Sequence, residues 1–197
     1  MTGVSDDTRR AGRPRSAECD RAILDAAIHE YATRGFDGMS VDAVAARAGV
    51  SKATIYRRYP SKIDLVIASA YFIADERAPK PDTGTLRGDL EASMLALSRM
   101  MRDPELGRVL RMVIGDSDRH PRLGEMHQEF MHARRRGTKA AFERAIARGE
   151  MRADVDLEIA ADCLGGPLFY RHVVSGMPID DAYVVELVDT FIRAYGC

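Results

Sequence analysis

The segment from Ser40 to Lys62, SVDAVAARAGVSKATIYRRYPSK, constrains the fold of this 197-residue chain more than any other part of it. A serine that can cap a helix precedes apolar residues at helical spacing. Gly49 follows at a position where helices end in a left-handed residue, and Ser51 is placed to cap a second helix. Pro60 ends that second helix, because the residue before a proline avoids helical geometry. The pattern predicts two short helices joined by a tight glycine turn.

The second of these helices carries an unusual outer surface. Ile55 and Tyr59 lie four residues apart and are expected to face inward. The other side chains are left on the outer faces, and most are basic or carry a hydroxyl: Lys52, Ala53, Thr54, Tyr56, Arg57 and Arg58. Basic groups bind phosphates or guanine edges, and hydroxyls bind phosphates. The arrangement is typical of a helix-turn-helix that places a helix in the DNA major groove, although a solvated basic hairpin has the same pattern.

The charge of the chain is distributed unevenly. The net charge is −1, and 46% of the residues are hydrophobic, enough for a packed core. Up to Lys62 there are 11 Lys and Arg against 8 Asp and Glu, whereas the remainder has 18 against 22. Positive charge is therefore concentrated where a DNA reader needs it. A uniformly basic coat or nucleoid protein would not show this division.

The first fifteen residues form a polar segment that glycine and proline interrupt, so we predict a disordered basic arm over 1–15. Its arginines are Arg9, Arg10, Arg13 and Arg15. They serve either as a solubilising tail or as an arm that reaches phosphates or the minor groove of DNA. The composition does not separate these two roles.

Helical periodicity dominates the rest of the chain, and strand signals are few. The sequence therefore predicts an all-α fold of about nine helices. A three-helix head would occupy residues 16–62 and a larger helical body residues 63–197. Pro167 lies within the expected eighth helix and should kink it or force a local adjustment.

The last two helices are apolar over a wide arc, so each needs two partners within the chain or a contact with a second subunit. Both arrangements remain open. The candidates for a subunit contact are Leu164, Leu168, Val173, Val184, Leu187, Val188 and Phe191.

Signals for other kinds of site are weak. Cys19, Cys163 and Cys197 are far apart and form no C-x-x-C pair, so we predict free thiols in a reducing cytoplasm. No apolar run is long enough to span a bilayer, and no signal peptide is evident. The chain carries no phosphate-binding loop, metal-ligand spacing or nucleophile signature. We therefore expect no enzymatic activity, metal, cofactor or membrane contact.

The helix-turn-helix window resembles the DNA-binding segment of the tetracycline-repressor (TetR) family of bacterial transcription regulators. The preceding ILDAAIHEYATRGFDGMS, from Ile23 to Ser40, is similar to the family's first helix and the loop after it. The resemblance covers about residues 15–66. It implies base or near-base contacts by Lys52, Ala53 and Arg57, and phosphate contacts by Ser40, Thr54, Tyr56, Arg58 and Lys62. Asp42 departs from the pattern, since some members place a basic or neutral side chain there.

The resemblance also implies a homodimeric repressor that binds a palindromic double-stranded operator through two heads. A small apolar or amphipathic ligand, held in the body, would release it. Methionine adapts to irregular apolar shapes, so it suits either such a cavity or plain core. The candidate ligand contacts are Met94, Met101, Met112 and Phe130. The alternatives are a DNA-binding regulator without a small-molecule ligand and, with nothing in its favour, a helical enzyme.

Overall fold

The computed structural model describes residues 13–77 and 81–197. Over these residues the chain forms nine α-helices and no strand, which confirms the all-α prediction. None of the helices in this part of the chain is long and apolar enough to cross a membrane. The helices are α1 (Arg13–Gly38), α2 (Val41–Ala48), α3 (Lys52–Arg58), α4 (Lys62–Arg77), α5 (Leu86–Arg102), α6 (Leu106–Asp116), α7 (Pro121–Ala147), α8 (Leu157–Phe169) and α9 (Asp181–Tyr195).

The chain divides into two compact units, and the boundary between Ser69 and Ala70 falls within α4. In the first unit, the head, α1 packs against α2 and α2 against α3. Helix α1 begins at Arg13, inside the range predicted for the basic arm. Residues 1–12 of that arm, with Arg9 and Arg10, lie outside the described residues. The buried core of the head includes Ile23, Ala27, Tyr31, Val44, Ile55, Leu65 and Val66.

Helix α1 is broken near its end by Gly35. Its φ of 71° and ψ of 177° lie in a region that glycine alone adopts without strain. Met39, just beyond the break, is buried in the head. The break therefore directs the chain back onto the core before α2 begins.

In the second unit, the body, α5 packs against α6, α7 and α9, and α8 contacts both α7 and α9. The rings of Phe142 and Phe191 stack with their centroids 5.3 Å apart, which joins α7 to α9. Asp89 is almost fully buried and pairs with Arg144 at 3.2 Å. The carboxylate also accepts hydrogen bonds from Thr83, so its charge is compensated.

Pro167 produces the local adjustment that the sequence predicts. It lacks the N–H that would continue the helical ladder. Helix α8 ends two residues later, and Tyr170–Ser175 continues as a wider π-helical turn. Gly176, with φ of 65°, ends this segment.

The predicted subunit contacts differ in how far the body of their own chain buries them. Five of the seven candidates are at most 3% exposed and belong to the hydrophobic core of their own chain: Leu164, Leu168, Val184, Val188 and Phe191. A contact between these five side chains and a second subunit remains a prediction. Leu187 packs against the same core but is only partly buried, and Val173 is exposed. The apolar surface of the last two helices thus has one side that packs within the chain and another side that is exposed.

Candidate nucleic-acid interface

Two serine caps and one glycine define the geometry between α2 and α3. The Ser40 hydroxyl accepts a hydrogen bond from the Asp42 amide at 3.2 Å and caps α2. Gly49 has φ of 68°, a left-handed conformation that an L side chain would strain. Ser51 then caps α3 by accepting from the Thr54 amide at 3.2 Å. These local bonds form the tight turn that the sequence predicts.

Helix α3 is anchored by one side chain and exposes the opposite side. Ile55 is 1% exposed and lies in the core of the head. Residues one or two positions away from it on a helix point in other directions, and Lys52 stands at the exposed start of α3. The exposed residues of α3 are Lys52, Ala53, Tyr56 and Arg57. We call these four residues the reading face.

Lys52 of the reading face has a charged partner on another helix. Its Nζ lies 2.9 Å from Oδ2 of Asp42, and both side chains remain about half or more exposed. The hydrogen bond to Asp42 raises the pKa of Lys52 above its ordinary value. The sequence marks Asp42 as a departure from the family pattern but does not reveal this pairing across ten residues.

Arg58, expected at a phosphate, is turned toward α1 instead. Its guanidinium pairs with Asp20 at 2.8 Å and donates to the Cys19 Sγ at 3.3 Å. The side chain is 23% exposed. Arg58 therefore links α3 to α1, and a phosphate would have to compete with Asp20 for it.

Lys62 is likewise engaged within the head. Its Nζ donates to the Phe36 carbonyl oxygen at 2.7 Å and lies 4.6 Å from the centre of the Phe36 ring. Both contacts hold the Lys62 side chain against the corner after α1. The lysine thus joins the start of α4 to the corner after α1, a role that the sequence does not indicate.

The predicted hydroxyl contacts at Ser40 and Thr54 lie at or next to helix caps. Ser40 holds the first turn of α2, as above, and the Thr54 Oγ1 lies 2.9 Å from the Ser51 Oγ. Both hydroxyl groups sit near helix N-termini, where the helix dipole attracts anions. A phosphate contact by either remains a prediction.

The predicted ligand contacts fall into two groups in the body. Met94 and Met101 are at most 4% exposed and lie in its hydrophobic core. This burial fits the core-packing role, which the sequence allows as the alternative to ligand binding. Met112 on α6 and Phe130 on α7 are only half-buried. Of the four candidates, these two remain partly accessible.

Comparison with known proteins identifies the family to which this architecture belongs. Residues 23–68 match the family model of bacterial regulatory proteins of the tetR family, and residues 80–191 match that of the tetracyclin repressor-like C-terminal domain. The chain belongs to the TetR family. It is a DNA-binding transcriptional regulator, and α2 and α3 are its helix-turn-helix.

Individual relatives support the assignment over nearly the whole chain. The HTH-type transcriptional regulator YdeS of Bacillus subtilis is 37% identical over 91% of this chain and 90% of its own length. A DNA-binding transcriptional repressor of Mycobacteroides abscessus is 34% identical over 90% and 92%. The crystal structure of a TetR-family regulator from Mesorhizobium loti superposes with a TM-score of 0.75 and 26% identity, covering 94% of this chain and all of that one.

The pair formed by Asp42 and Lys52 leads to a first testable expectation for a TetR-family head. Asp42→Asn removes a negative charge beside the reading face and frees Lys52 for phosphate. Binding to a duplex of scrambled sequence is expected to tighten, and the dependence of log K on log salt to steepen by about one. Fluorescence anisotropy across a salt series measures both quantities.

Asp25→Asn is the matched control, because Asp25 is an exposed carboxylate on α1 that pairs with Arg21. It changes the net charge by the same amount away from the reading face. If both variants alter scrambled-DNA binding equally, Asp42 acts only through net charge, and its specific restraint on Lys52 is excluded.

Proposed function

We propose that this chain is a cytoplasmic homodimeric repressor that binds a palindromic operator and is released by a small-molecule ligand. The observation that carries the proposal is the reading face, whose side chains project from a short, capped and anchored helix. The M. abscessus relative, itself described as a DNA-binding transcriptional repressor, favours repression over activation.

Each member of the reading face has a chemistry suited to the major groove. Arg57 carries the planar fork that donates two hydrogen bonds to the O6 and N7 of guanine. Lys52 can bind phosphate or guanine once it leaves Asp42. Tyr56 is 42% exposed, with a hydroxyl suited to a phosphate oxygen. Ala53 is small enough to let α3 approach the bases closely and to contact a thymine methyl group.

The exposed side of α8 supports dimerisation. Small or apolar residues recur there at spacings of four, three, four and four and continue into the π-helical turn. They are Ile159, Cys163, Gly166, Tyr170 and Val174, and we call them the α8 stripe. Ile159, Tyr170 and Val174 are 58%, 59% and 71% exposed. A Cβ atom built on Gly166 meets nothing within 4 Å, so another helix has room to approach.

A second copy of the same chain is the occupant that fits this stripe best. Two-fold symmetry brings the same small and apolar side chains together from both subunits. It also relates the two heads, which would enter successive major grooves roughly 34–36 Å apart. Leu187 and Val173, the accessible members of the predicted set, can contribute at its edge.

Ligand release requires that the ligand and DNA favour different conformations, each weakening the other's binding by the same factor. Helix α4 is continuous across the boundary between the two units, so it is the element on which such coupling depends. In the body, the Tyr71 hydroxyl of α4 donates to Glu129 of α7 at 2.9 Å. A change in α7 is thereby transmitted to α4.

The proposal is tested by measuring binding to the DNA upstream of the chain's own gene against scrambled DNA of equal length. A specific operator should be preferred by about a thousandfold or more at physiological salt. Screening small molecules against the bound complex then separates a ligand-released repressor from a regulator without a ligand. Absence of preference for any upstream fragment would contradict the proposal.

A further inference from the structure

One side of α7 is buried near both ends of the helix and partly exposed in its middle. Leu123, Ala141 and Ala145 lie on this side and are at most 8% exposed. Phe130 and Arg134 continue the same stripe between them, at helical spacings of seven and four, yet both are only half-buried. Large side chains in the middle thus remain partly accessible while alanines near the end are enclosed. The middle of α7 therefore presents large side chains that the rest of the body leaves partly uncovered.

Arg134 places a positive charge on this partly uncovered stretch of α7. Its guanidinium carbon lies 5.8 Å from the centre of the Phe130 ring, so the ring covers part of the cation. Loss of solvation lowers the pKa of Arg134 below its ordinary value, without an opposing contribution from any carboxylate. Arginine remains charged in proteins. The group is therefore a poorly solvated cation in contact with an aromatic ring.

The neighbouring arginine shows that this lack of a counter-ion is particular to position 134. Arg135 pairs with Glu158 at 3.0 Å and with Asp162 at 2.5 Å, both on α8. Within the part of the chain that the structure describes, no ion pair or side-chain hydrogen bond is formed by Arg134. A partly buried charge without a counter-ion is costly, so a chain retains one chiefly where something else supplies the partner.

We propose that Arg134 and Phe130 form the binding site for a small organic molecule that carries a carboxylate on an apolar body. The guanidinium fork matches a carboxylate through two parallel hydrogen bonds. Met126 lies four residues before Phe130 on the same side of α7 and adds an adaptable apolar side chain. The inference rests on the proposed ligand-released function and narrows its ligand to an amphipathic anion.

The position of the site suggests how its occupation reaches the head. Glu129, which precedes Phe130, is the residue that accepts the hydrogen bond from Tyr71 of α4. Arg134 lies five residues beyond Glu129, so a carboxylate drawn to it adds negative charge about one and a half helical turns along α7 from that bond. The Tyr71–Glu129 contact is therefore the first link to α4 that ligand binding would change.

Calorimetric titration with two matched pairs of probes tests the site: octanoate against octan-1-ol, and benzoate against benzyl alcohol. At least one carboxylate is expected to bind about tenfold more tightly than its alcohol. Arg134→Gln should abolish that preference and leave alcohol binding within about twofold. Arg136→Gln, which removes the same charge from an exposed position on α7, should leave the preference unchanged.

Three results would contradict the proposed binding site. They are equal affinity of both alcohols and their acids, no carboxylate binding below about 10 mM, and a preference for carboxylate that survives in Arg134→Gln.

A second variant tests the role of Arg134 by thermal stability, without any ligand. Arg134→Met replaces the cation by an apolar side chain of similar length, and the melting temperature should rise by about 2–4 °C. A fall would assign Arg134 a structural role and overturn its ligand role.

Operator release, measured separately by anisotropy, distinguishes this inference from the function on which it rests. If Arg134 governs carboxylate binding but bound carboxylate never weakens operator binding, the ligand-released function is contradicted and the carboxylate site is supported. If other molecules release the operator equally well from the native chain and from Arg134→Gln, release stands and this site is overturned.

Discussion

Val174→Glu is expected to abolish tight operator binding while leaving the helical fold intact. Val174 is 71% exposed within one chain, so a carboxylate there is solvated in the monomer and costs little. In a symmetric dimer, two such carboxylates would enter the same apolar seam and repel each other after losing their solvation. Sedimentation equilibrium should show a monomer where the native chain is a dimer. Operator affinity should fall toward that of scrambled DNA, because each head then binds only one half-site.

Ala140→Glu controls for the added charge, since Ala140 is an exposed position on α7 outside the α8 stripe. It should remain dimeric and bind the operator like the native chain. Circular dichroism confirms that both variants are folded. A Val174→Glu variant that stays dimeric would exclude the α8 stripe as the subunit contact.

Arg57→Ala is expected to remove most of the preference for the operator. One arginine bonded to guanine through two hydrogen bonds contributes about 1–3 kcal/mol of discrimination. A symmetric dimer loses two, so the preference for operator over scrambled DNA should fall by about 2–6 kcal/mol. Competition anisotropy with both duplexes at fixed salt measures this difference.

Arg57→Lys separates reading of a base from attraction to phosphate. Lysine keeps the charge but lacks the planar fork, so binding to scrambled DNA should stay near the native value while operator preference drops. Equal loss on both duplexes in Arg57→Ala, with full recovery in Arg57→Lys, would show that Arg57 contacts phosphate only.

The turn between α2 and α3 could be predicted from the sequence because its determinants are local. Ser40, Gly49 and Ser51 each act on backbone groups within a few residues. Pro167 is a similar case, since a missing N–H perturbs its own helix whatever surrounds it. Caps, turns and breaks of this kind depend on short segments of sequence, so they can be predicted without knowledge of the fold.

The roles of Arg58 and Lys62 could not be predicted in the same way. Their partners lie far off in the chain: Cys19 is 39 residues from Arg58, and Phe36 is 26 residues from Lys62. Periodicity assigns a basic side chain to an outer face but does not tell which neighbouring helix covers that face. Both cations support the head, which leaves Lys52 and Arg57 as the charged members of the reading face.

On α8 and α9, helical periodicity likewise does not tell which side of a helix is covered. Leu164 and Val188 follow the helical period as well as any interface residue, but the body buries both. The α8 stripe, which includes Gly166 and Tyr170, is less apolar than the packed side of the helix. It can be recognised only once the packed side is known. Arg134 was likewise indistinguishable in sequence from Arg135 and Arg136, since its setting depends on which side of α7 faces inward.

The proposed function requires that two copies of α3 read one operator as a symmetric pair. Methylation protection of guanine N7 on the upstream DNA tests this directly, because N7 lies in the major groove. The expected result is two clusters of protected guanines, related by a dyad and separated by about 10 base pairs, both lost in Arg57→Ala. A single cluster, or protection that persists unchanged without Arg57, would contradict it.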